Sequence, residues 1–170
     1  MLRTVLVVIV ILAITVGSLH SQDAIGLRFG GSGEAFGGEI GYQKQMGANR
    51  LWLGFNFDFD SGTGWSSTYL TLFPAYHFVF PTSNDMRFYA GPGIQATMWM
   101  MNFSGALSSV DNISEFILSA GGVAGIEMDI NNLTIGFEAR PLFRIITPDT
   151  IWWKDDDFFI SYGLTLKYRF

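Results

Sequence analysis

The chain has 170 residues, enough for one domain of ordinary size. Hydrophobic residues make up 49% and charged residues only 15%, whereas a soluble domain carries about 25% charged residues. The formal net charge of -5 argues against nucleic-acid binding, which needs clustered lysine and arginine. The absence of cysteine excludes a disulfide scaffold, a thiolate metal site and a lipid-modified cysteine.

Residues 1–21 have the pattern of a secretory signal peptide. Arg3 precedes an apolar block over residues 5–16, and small and polar residues follow. The block is short for a helix that spans a membrane, although an uncleaved membrane anchor is the alternative interpretation. Cleavage fits after Ser18 or Ser21, and we favour Ser21. The sequence therefore predicts export from the cytoplasm and a mature domain over residues 22–170.

The mature domain has a repeated alternation of large apolar residues with glycine, small or polar residues. This period of two predicts β-strands with two unlike faces, and turn-forming residues separate the strands. A weak apolar signal in each segment is typical of membrane β-strands. The eight predicted segments are 24–30, 35–44, 50–59, 68–80, 87–98, 116–129, 133–144 and 158–170. Pro74 and Pro92 each remove a ladder donor, so we expect a bulge or local strain there.

The predicted connections differ in length at the two ends. Residues 46–49, 81–85 and 130–132 are tight, whereas 60–67, 100–114 and 145–157 are longer; the short connection at 31–34 breaks the trend. Short turns at one end and long loops at the other are the asymmetry of outer-membrane barrels, which have an even number of strands. The predicted fold class is all-β, an eight-stranded antiparallel up-and-down transmembrane β-barrel.

The polar face of the predicted strands carries a sparse set of charges. In a membrane barrel this face points inward, where charges must pair to offset the loss of water. Eight strands enclose a space that side chains can fill, so structural filling is the favoured interpretation and a gated proton or ion path the alternative. The predicted ion-pair network comprises Arg28, Glu39, Arg87, Glu127, Glu138 and Arg140. Lys167 and Arg169 fall on the same face.

Aromatic residues recur near the strand ends. Tyr42, Tyr76, Phe80, Tyr168 and Phe170 predict a girdle at one membrane–water interface. The last segment, FFISYGLTLKYRF, places a large apolar residue at every second position and ends on Phe170. A soluble edge strand rarely runs so long with its aromatics on one side, so this face is expected to meet lipid.

The stretch FYAGPGI (88–94) and the terminal YGLTLKYRF (162–170) carry a resemblance that extends over the whole mature chain. The chain resembles small eight-stranded outer-membrane proteins of the OmpA-transmembrane-domain and OmpX type. This resemblance implies a monomer in a Gram-negative outer membrane, in contact with outer-membrane lipid and lipopolysaccharide. It also implies that Tyr168 and Phe170 form the signal that the barrel assembly machinery recognises. The glycine and aromatic usage is similar to that of Bacteroidota-type sequences.

Residues that could carry chemistry are few. Some barrels of this type modify lipid A with a histidine, a serine and a carboxylate. The mature chain has a single histidine, His77, which is predicted to point inward with no serine two residues away on the same face. A structural histidine is therefore favoured over a catalytic one. The sequence predicts no enzymatic activity, no cofactor and no metal site.

One predicted loop has a surface motif, IWWKDDD (151–157). Trp152 and Trp153 lie beside three acidic residues, Asp155, Asp156 and Asp157. These residues could bind a partner, or a divalent cation shared with lipopolysaccharide, but a belt aromatic pair followed by a solvated acidic tip is the favoured interpretation.

The predicted function is that of an integral outer-membrane barrel with a filled lumen and a structural or adhesin-like surface role. Two alternatives remain open. One is a narrow porin-like channel, and the other is a secreted lipocalin-like barrel that binds an apolar ligand inside, which needs the apolar face to point inward.

Overall fold

The structure is a computed structural model that describes residues 23–32, 35–82, 85–105, 111–147 and 157–170. The predicted signal peptide, residues 1–21, lies outside the described residues. No helix in the described ranges is long and apolar enough to cross a membrane.

The described part of the chain forms eight strands in a closed barrel. Each strand pairs antiparallel with its neighbours in sequence, and the last strand closes the barrel against the first. The predicted fold class is therefore confirmed. The strands are β1 (Ala24–Ser32), β2 (Ala35–Met46), β3 (Asn49–Gly62), β4 (Trp65–Pro81), β5 (Met86–Phe103), β6 (Ile113–Ile130), β7 (Leu133–Ile146) and β8 (Phe158–Arg169).

The two faces of the barrel point as the alternation predicts. In β8, Leu164 is 62% exposed, whereas the next residue, Thr165, is 3% exposed. Large apolar side chains from all eight strands are exposed on the outer surface, with Leu27, Ile40 and Phe137 among them. Soluble monomers rarely expose apolar patches larger than a few hundred Å². An apolar surface around the whole barrel therefore suits contact with lipid.

The turns divide the barrel into two ends. The tight connections β2–β3, β4–β5 and β6–β7 share one end with the start of β1 and the end of β8, and we call it the short-turn end. Gly47 and Asn131 have positive φ angles of 64° and 56° in two of these turns, which glycine and asparagine adopt more readily than other residues. The opposite end, where the β1–β2, β3–β4, β5–β6 and β7–β8 connections lie, is called the long-strand end.

The predicted loop over residues 60–67 is wrong. β3 and β4 stay paired through Ser61–Ser66 and Gly62–Trp65, and only residues 63–64 form the turn. The inward hydroxyl of Ser67 accepts a hydrogen bond from Trp99 Nε1 at 2.6 Å, so a polar ladder continues beyond the apolar alternation. The connection predicted over residues 100–114 is also shorter, because β5 reaches Phe103 and β6 begins at Ile113.

The bulge expected at the prolines is absent from the β4–β5 pairing. Paired residues are lost around Pro74 and Pro92, but the register is the same on both sides of the gaps. Each proline lacks one donor, and the ladder tolerates that loss without an inserted residue. The register shift among the described strands lies elsewhere, in the β6–β7 pairing between Leu118 and Ser119.

Candidate functional site: the charged interior of the barrel

Four charged residues meet in the middle of the lumen, and we call them the central cluster: Arg28, Glu39, Glu138 and Arg140. Arg140 Nη1 and Nη2 donate to Glu39 Oε2 and Oε1 at 2.6 and 2.8 Å, so the pair is bidentate. Arg140 Nε donates to Glu138 Oε1 at 2.6 Å, and Arg28 Nε lies 3.2 Å from the same oxygen. All four side chains are at most 3% exposed. Two arginines and two glutamates leave this cluster with balanced charge.

Neutral donors complete the central cluster. The Tyr89 hydroxyl donates to Glu138 Oε2 at 2.7 Å, and Trp52 Nε1 donates to Glu39 Oε1 at 2.9 Å. The Arg140 guanidinium also lies 3.8 Å from the centre of the Phe73 ring. These contacts matter because a buried charge is costly unless it is paired and hydrogen-bonded. The carboxylates thus accept bonds from arginine, tyrosine and tryptophan at once.

A second group of charges, called the mouth cluster, lies at the short-turn end. It consists of Arg50, Arg87, Glu127, Asp129, Lys167 and Arg169. Glu127 is shared by three cations, with Arg87 Nε and Lys167 Nζ each 3.1 Å from its oxygens and Arg50 also paired to it. Asp129 pairs with Arg87, and with Arg169 at 3.1 Å. Four cations therefore surround two carboxylates.

Tyr89 separates the two clusters. Its hydroxyl donates to Glu138 of the central cluster, while Lys167 Nζ lies 5.2 Å and the Arg50 guanidinium carbon 5.7 Å from the centre of its ring. His77 stacks on the Tyr89 ring, with ring centres 4.5 Å apart. His77 is fully buried, and neither of its ring nitrogens has a hydrogen-bond partner among the described residues. A catalytic role for His77 gains no support from this enclosed position.

The rest of the lumen is filled mainly by apolar and small side chains. Trp52, Phe73, Tyr89, Val123 and Leu142 form one buried core group, and Gly41 lies against Trp52, where an added Cβ would be 2.0 Å from the indole. Nearer the long-strand end, Trp99 and Ile117 form a second group. Within the described residues this packing separates a cavity at the short-turn end from a small cavity of about 40 Å³ lined by Asn56, Asp58 and Ser161.

The structure places the predicted network in two clusters rather than one. Arg28, Glu39, Glu138 and Arg140 lie together, whereas Arg87 and Glu127 lie in the mouth cluster. Arg50 and Asp129 are not in the predicted network, although each lies one inward position beyond a predicted inward residue of its strand. Lys167 and Arg169 were placed on the correct face but without partners. Extending the inward parity to the strand ends also predicts Arg50 and Asp129 to point inward.

Only part of the predicted aromatic girdle is exposed on the barrel surface. Phe80, Tyr168 and Phe170 are exposed at the short-turn end, and the last two pack edge to face with ring centres 5.7 Å apart. Tyr76 is half-buried. Tyr42 departs from the prediction, because it is only 8% exposed and its hydroxyl donates to Asp23 Oδ2 at 2.7 Å.

The predicted surface motif falls mostly outside the described residues. Trp152, Trp153, Asp155 and Asp156 are not among them, and Asp157 is exposed just before β8. The described ranges contain no group of three or more histidine or acidic side chains arranged to hold a metal ion.

No family model and no curated protein matches the sequence. Solved structures do match. Neisserial surface protein A matches with a TM-score of 0.67 at 9% identity, over 87% of this chain and 96% of that chain. A major outer membrane protein from Thermus thermophilus matches with a TM-score of 0.66 at 12% identity, over 88% and 98%. Ail, the attachment invasion locus protein of Yersinia pestis, matches with a TM-score of 0.57 at 13% identity, over 88% and 97%.

These matches show similarity of fold alone, because the sequence identities are only 9–13%. The barrel has the fold of the small eight-stranded outer-membrane β-barrels, as the resemblance in the sequence implied. The structures come from Neisseria, Thermus and Yersinia, and they give no support to the predicted Bacteroidota-type origin.

Proposed function

We propose that the protein is an integral outer-membrane barrel that serves as a closed scaffold for surface interactions. The observation that carries this proposal is the inversion of the two faces, with apolar side chains exposed all around and charges paired inside. A closed barrel leaves no backbone edge unpaired in lipid. Outer-membrane lipid and lipopolysaccharide are the proposed partners of the apolar face.

Fractionation of cells that express the full chain tests this location. We expect the protein in the outer-membrane fraction, with a gel mobility that differs between boiled and unboiled samples because a folded barrel resists detergent. Protein found in a soluble fraction, without such a shift, would contradict the proposal. That result would favour the lipocalin-like alternative, although the inward charges and outward apolar residues are the reverse of what that alternative needs.

The filled lumen supports a scaffold more than a channel. The central cluster, Tyr89 and Trp52 are buried between the two cavities, and side chains can fill a barrel of this width. We therefore expect the purified full chain to be silent in single-channel recordings from planar bilayers. Reproducible unitary currents would restore the narrow porin-like alternative.

The absence of enzymatic activity stays a prediction. The enclosed position of His77, stacked on Tyr89 away from any described serine partner, supports it. Lipid A mass spectra from cells that overexpress the protein are the measurement, and a new modification of lipid A would overturn the prediction.

The surface role is inferred from three segments at the long-strand end, each of which includes a connection and the adjoining strand ends. Residues 60–67, 100–114 and 145–157 together contain six aspartates and one lysine. Ail has been solved in complex with the heparin analogue sucrose octasulfate. The acidic segments of the present chain suit a basic partner better than a sulfated one, because like charges repel across an interface.

Attachment of intact cells to immobilised oligolysine and to immobilised heparin tests this inference. Cells that display the protein should attach to oligolysine, and replacement of Asp155, Asp156 and Asp157 by asparagine should reduce that attachment. Replacement of Trp152 and Trp153 by alanine shows whether the aromatic pair takes part. Preferential attachment to heparin would contradict the proposed charge of the partner.

Assembly is proposed to depend on the end of β8. Tyr168 and Phe170 are exposed there in mutual contact, which leaves both rings accessible to a partner. Phe170→Ala should lower the amount of folded protein in the outer membrane, whereas Phe158→Ala at the other end of the same strand should not. Equal yields of the two variants would remove the proposed signal.

A further inference from the structure

We propose that the mouth cluster binds a phosphate group in the cavity at the short-turn end of the barrel. This cavity has a volume of about 390 Å³, within the range of small-molecule sites. It is lined chiefly by donors, namely Gln43, Gln45, Arg50, Arg87, Asn132 and Arg169. Phe170 completes the lining, and no Asp or Glu side chain is among these residues, so an entering anion meets mainly guanidinium and amide groups.

The charge of the mouth cluster is unbalanced. Arg50, Arg87, Lys167 and Arg169 carry four positive charges, whereas Glu127 and Asp129 supply two negative charges. A terminal carboxylate on Phe170 would still leave one positive charge in excess. The central cluster, by contrast, is balanced at two and two. Within this set of ion-paired groups positive charge is therefore in excess, which favours the approach of an anion through the cavity.

Hydrogen bonding in the mouth cluster is also incomplete. Arg50 is 3% exposed, and its Nη2 has no hydrogen-bond partner among the described residues. Arg169 Nε is also buried without a hydrogen-bond partner among the described residues, although the Arg169 side chain as a whole is 28% exposed. Unpaired charged donors cost free energy, and small side-chain rotations would turn them toward an acceptor in the cavity.

Phosphate matches these donors best. Guanidinium groups bind phosphate oxygens through paired, charge-assisted hydrogen bonds, and three arginines reach the cavity from β3, β5 and β8. The volume admits more than a bare oxyanion, so the phosphate can be free or attached to a small group. Two sources are compatible with this chemistry, a soluble phosphate compound and a phospholipid headgroup. That either lies on the periplasmic side rests on the proposed membrane location.

Arginine side-chain NMR on the full chain, purified in a phosphate-free maltoside detergent, tests the proposal. Inorganic phosphate is titrated first, and short-chain phosphatidylglycerol is titrated separately. We expect saturable shifts of arginine Nε–H resonances with at least one of the two probes. Saturation by inorganic phosphate identifies a soluble source, whereas saturation only by phosphatidylglycerol identifies a headgroup. The absence of saturable shifts with both probes at millimolar concentration would overturn the proposal.

Two arginine variants locate the site. Arg169→Gln removes a partly exposed cation that lines the cavity, and it should weaken binding about tenfold, the effect of losing a charge-assisted hydrogen bond. Arg144→Gln is the matched control, because Arg144 lies in β7 near the long-strand end, with its guanidinium 5.0 Å from the Phe159 ring. Equal affinity in the two variants would overturn the assignment. The boiled and unboiled gel mobility verifies that both variants are folded, which separates failure of this site from failure of the proposed location.

Discussion

Both charged clusters of the lumen bury ionised side chains, but they differ in how those charges are balanced. The central cluster pairs two arginines with two glutamates and adds donors from Tyr89 and Trp52, so its charges are balanced and its carboxylates are satisfied. The mouth cluster has four cations for two carboxylates and borders a cavity, whereas buried arginine nitrogens without a hydrogen-bond partner among the described residues occur in both clusters. Arg50, Glu127 and Lys167 are as buried as the central cluster, so the comparison indicates that the adjoining cavity, rather than burial, sets the tolerance for imbalance. In the middle of the barrel every charge must be paired within the protein, whereas at the end water or an anion can supply what is missing.

The largest effect is expected when the balance of the central cluster is broken. Arg140→Gln removes the arginine that pairs with Glu39 and leaves Glu138 paired with Arg28, so it should lower the free energy of unfolding by about 3–5 kcal/mol, as removal of one partner from a buried pair does. Urea unfolding in detergent, followed by loss of the folded gel band, is the measurement. Arg144→Gln on the same strand is the control and should cost less than about 1 kcal/mol.

A smaller effect is expected when an anion is removed from the mouth cluster. Glu127→Gln leaves Arg50, Arg87 and Lys167 close together, but Arg50 and Arg87 line a cavity that admits ions, so the cost should be about 2 kcal/mol, less than that expected for Arg140→Gln. Added phosphate should reduce this cost and leave that of Arg140→Gln unchanged. A cost of Glu127→Gln that does not depend on phosphate would show that both clusters are equally closed.

The sequence predicts the strands and faces that carry the two clusters, but not which charged residues pair. Period-two alternation gives the strands, the two faces and the inward direction of Arg28, Glu39 and Glu127, because side chains of a strand point alternately to opposite faces. It does not give the partners. Arg140 pairs with Glu39, 101 residues away on β2, across the lumen from β7, and such a contact depends on the stagger and curvature of the whole barrel.

Two other differences have local causes. Tyr42 has the outward parity, but its hydroxyl finds a carboxylate at Asp23, before the first strand, where alternation carries no signal. The long β3–β4 hairpin was missed because its outer part is polar on both faces. Only backbone pairing and the turn at Gly64, with a φ angle of 82°, define it.

A moderate effect is expected at Tyr89, which contacts both clusters. Tyr89→Phe removes the hydroxyl bond to Glu138 and keeps the ring that contacts His77 and Lys167. Hydrogen bonds to charged groups contribute about 1.5–3 kcal/mol, and we expect the lower part of that range because Arg28 and Arg140 still pair with Glu138. Urea unfolding measures the change. An unchanged stability would mean that arginine alone satisfies Glu138.

The smallest effect on stability is expected at Arg169, at the edge of the mouth cluster. Arg169 is paired with Asp129 at 3.1 Å but is 28% exposed, and exposed ion pairs contribute about 0–1 kcal/mol. Removing it also relieves repulsion among four cations, so the two effects oppose each other. Arg169→Gln should therefore change the free energy of unfolding by less than about 1 kcal/mol in phosphate-free detergent. In phosphate, however, the wild-type protein should gain more stability than the variant, because a ligand that binds more tightly stabilises the folded state more. Equal gains in both proteins would place the anion elsewhere, and the imbalance of the mouth cluster would then be met by water.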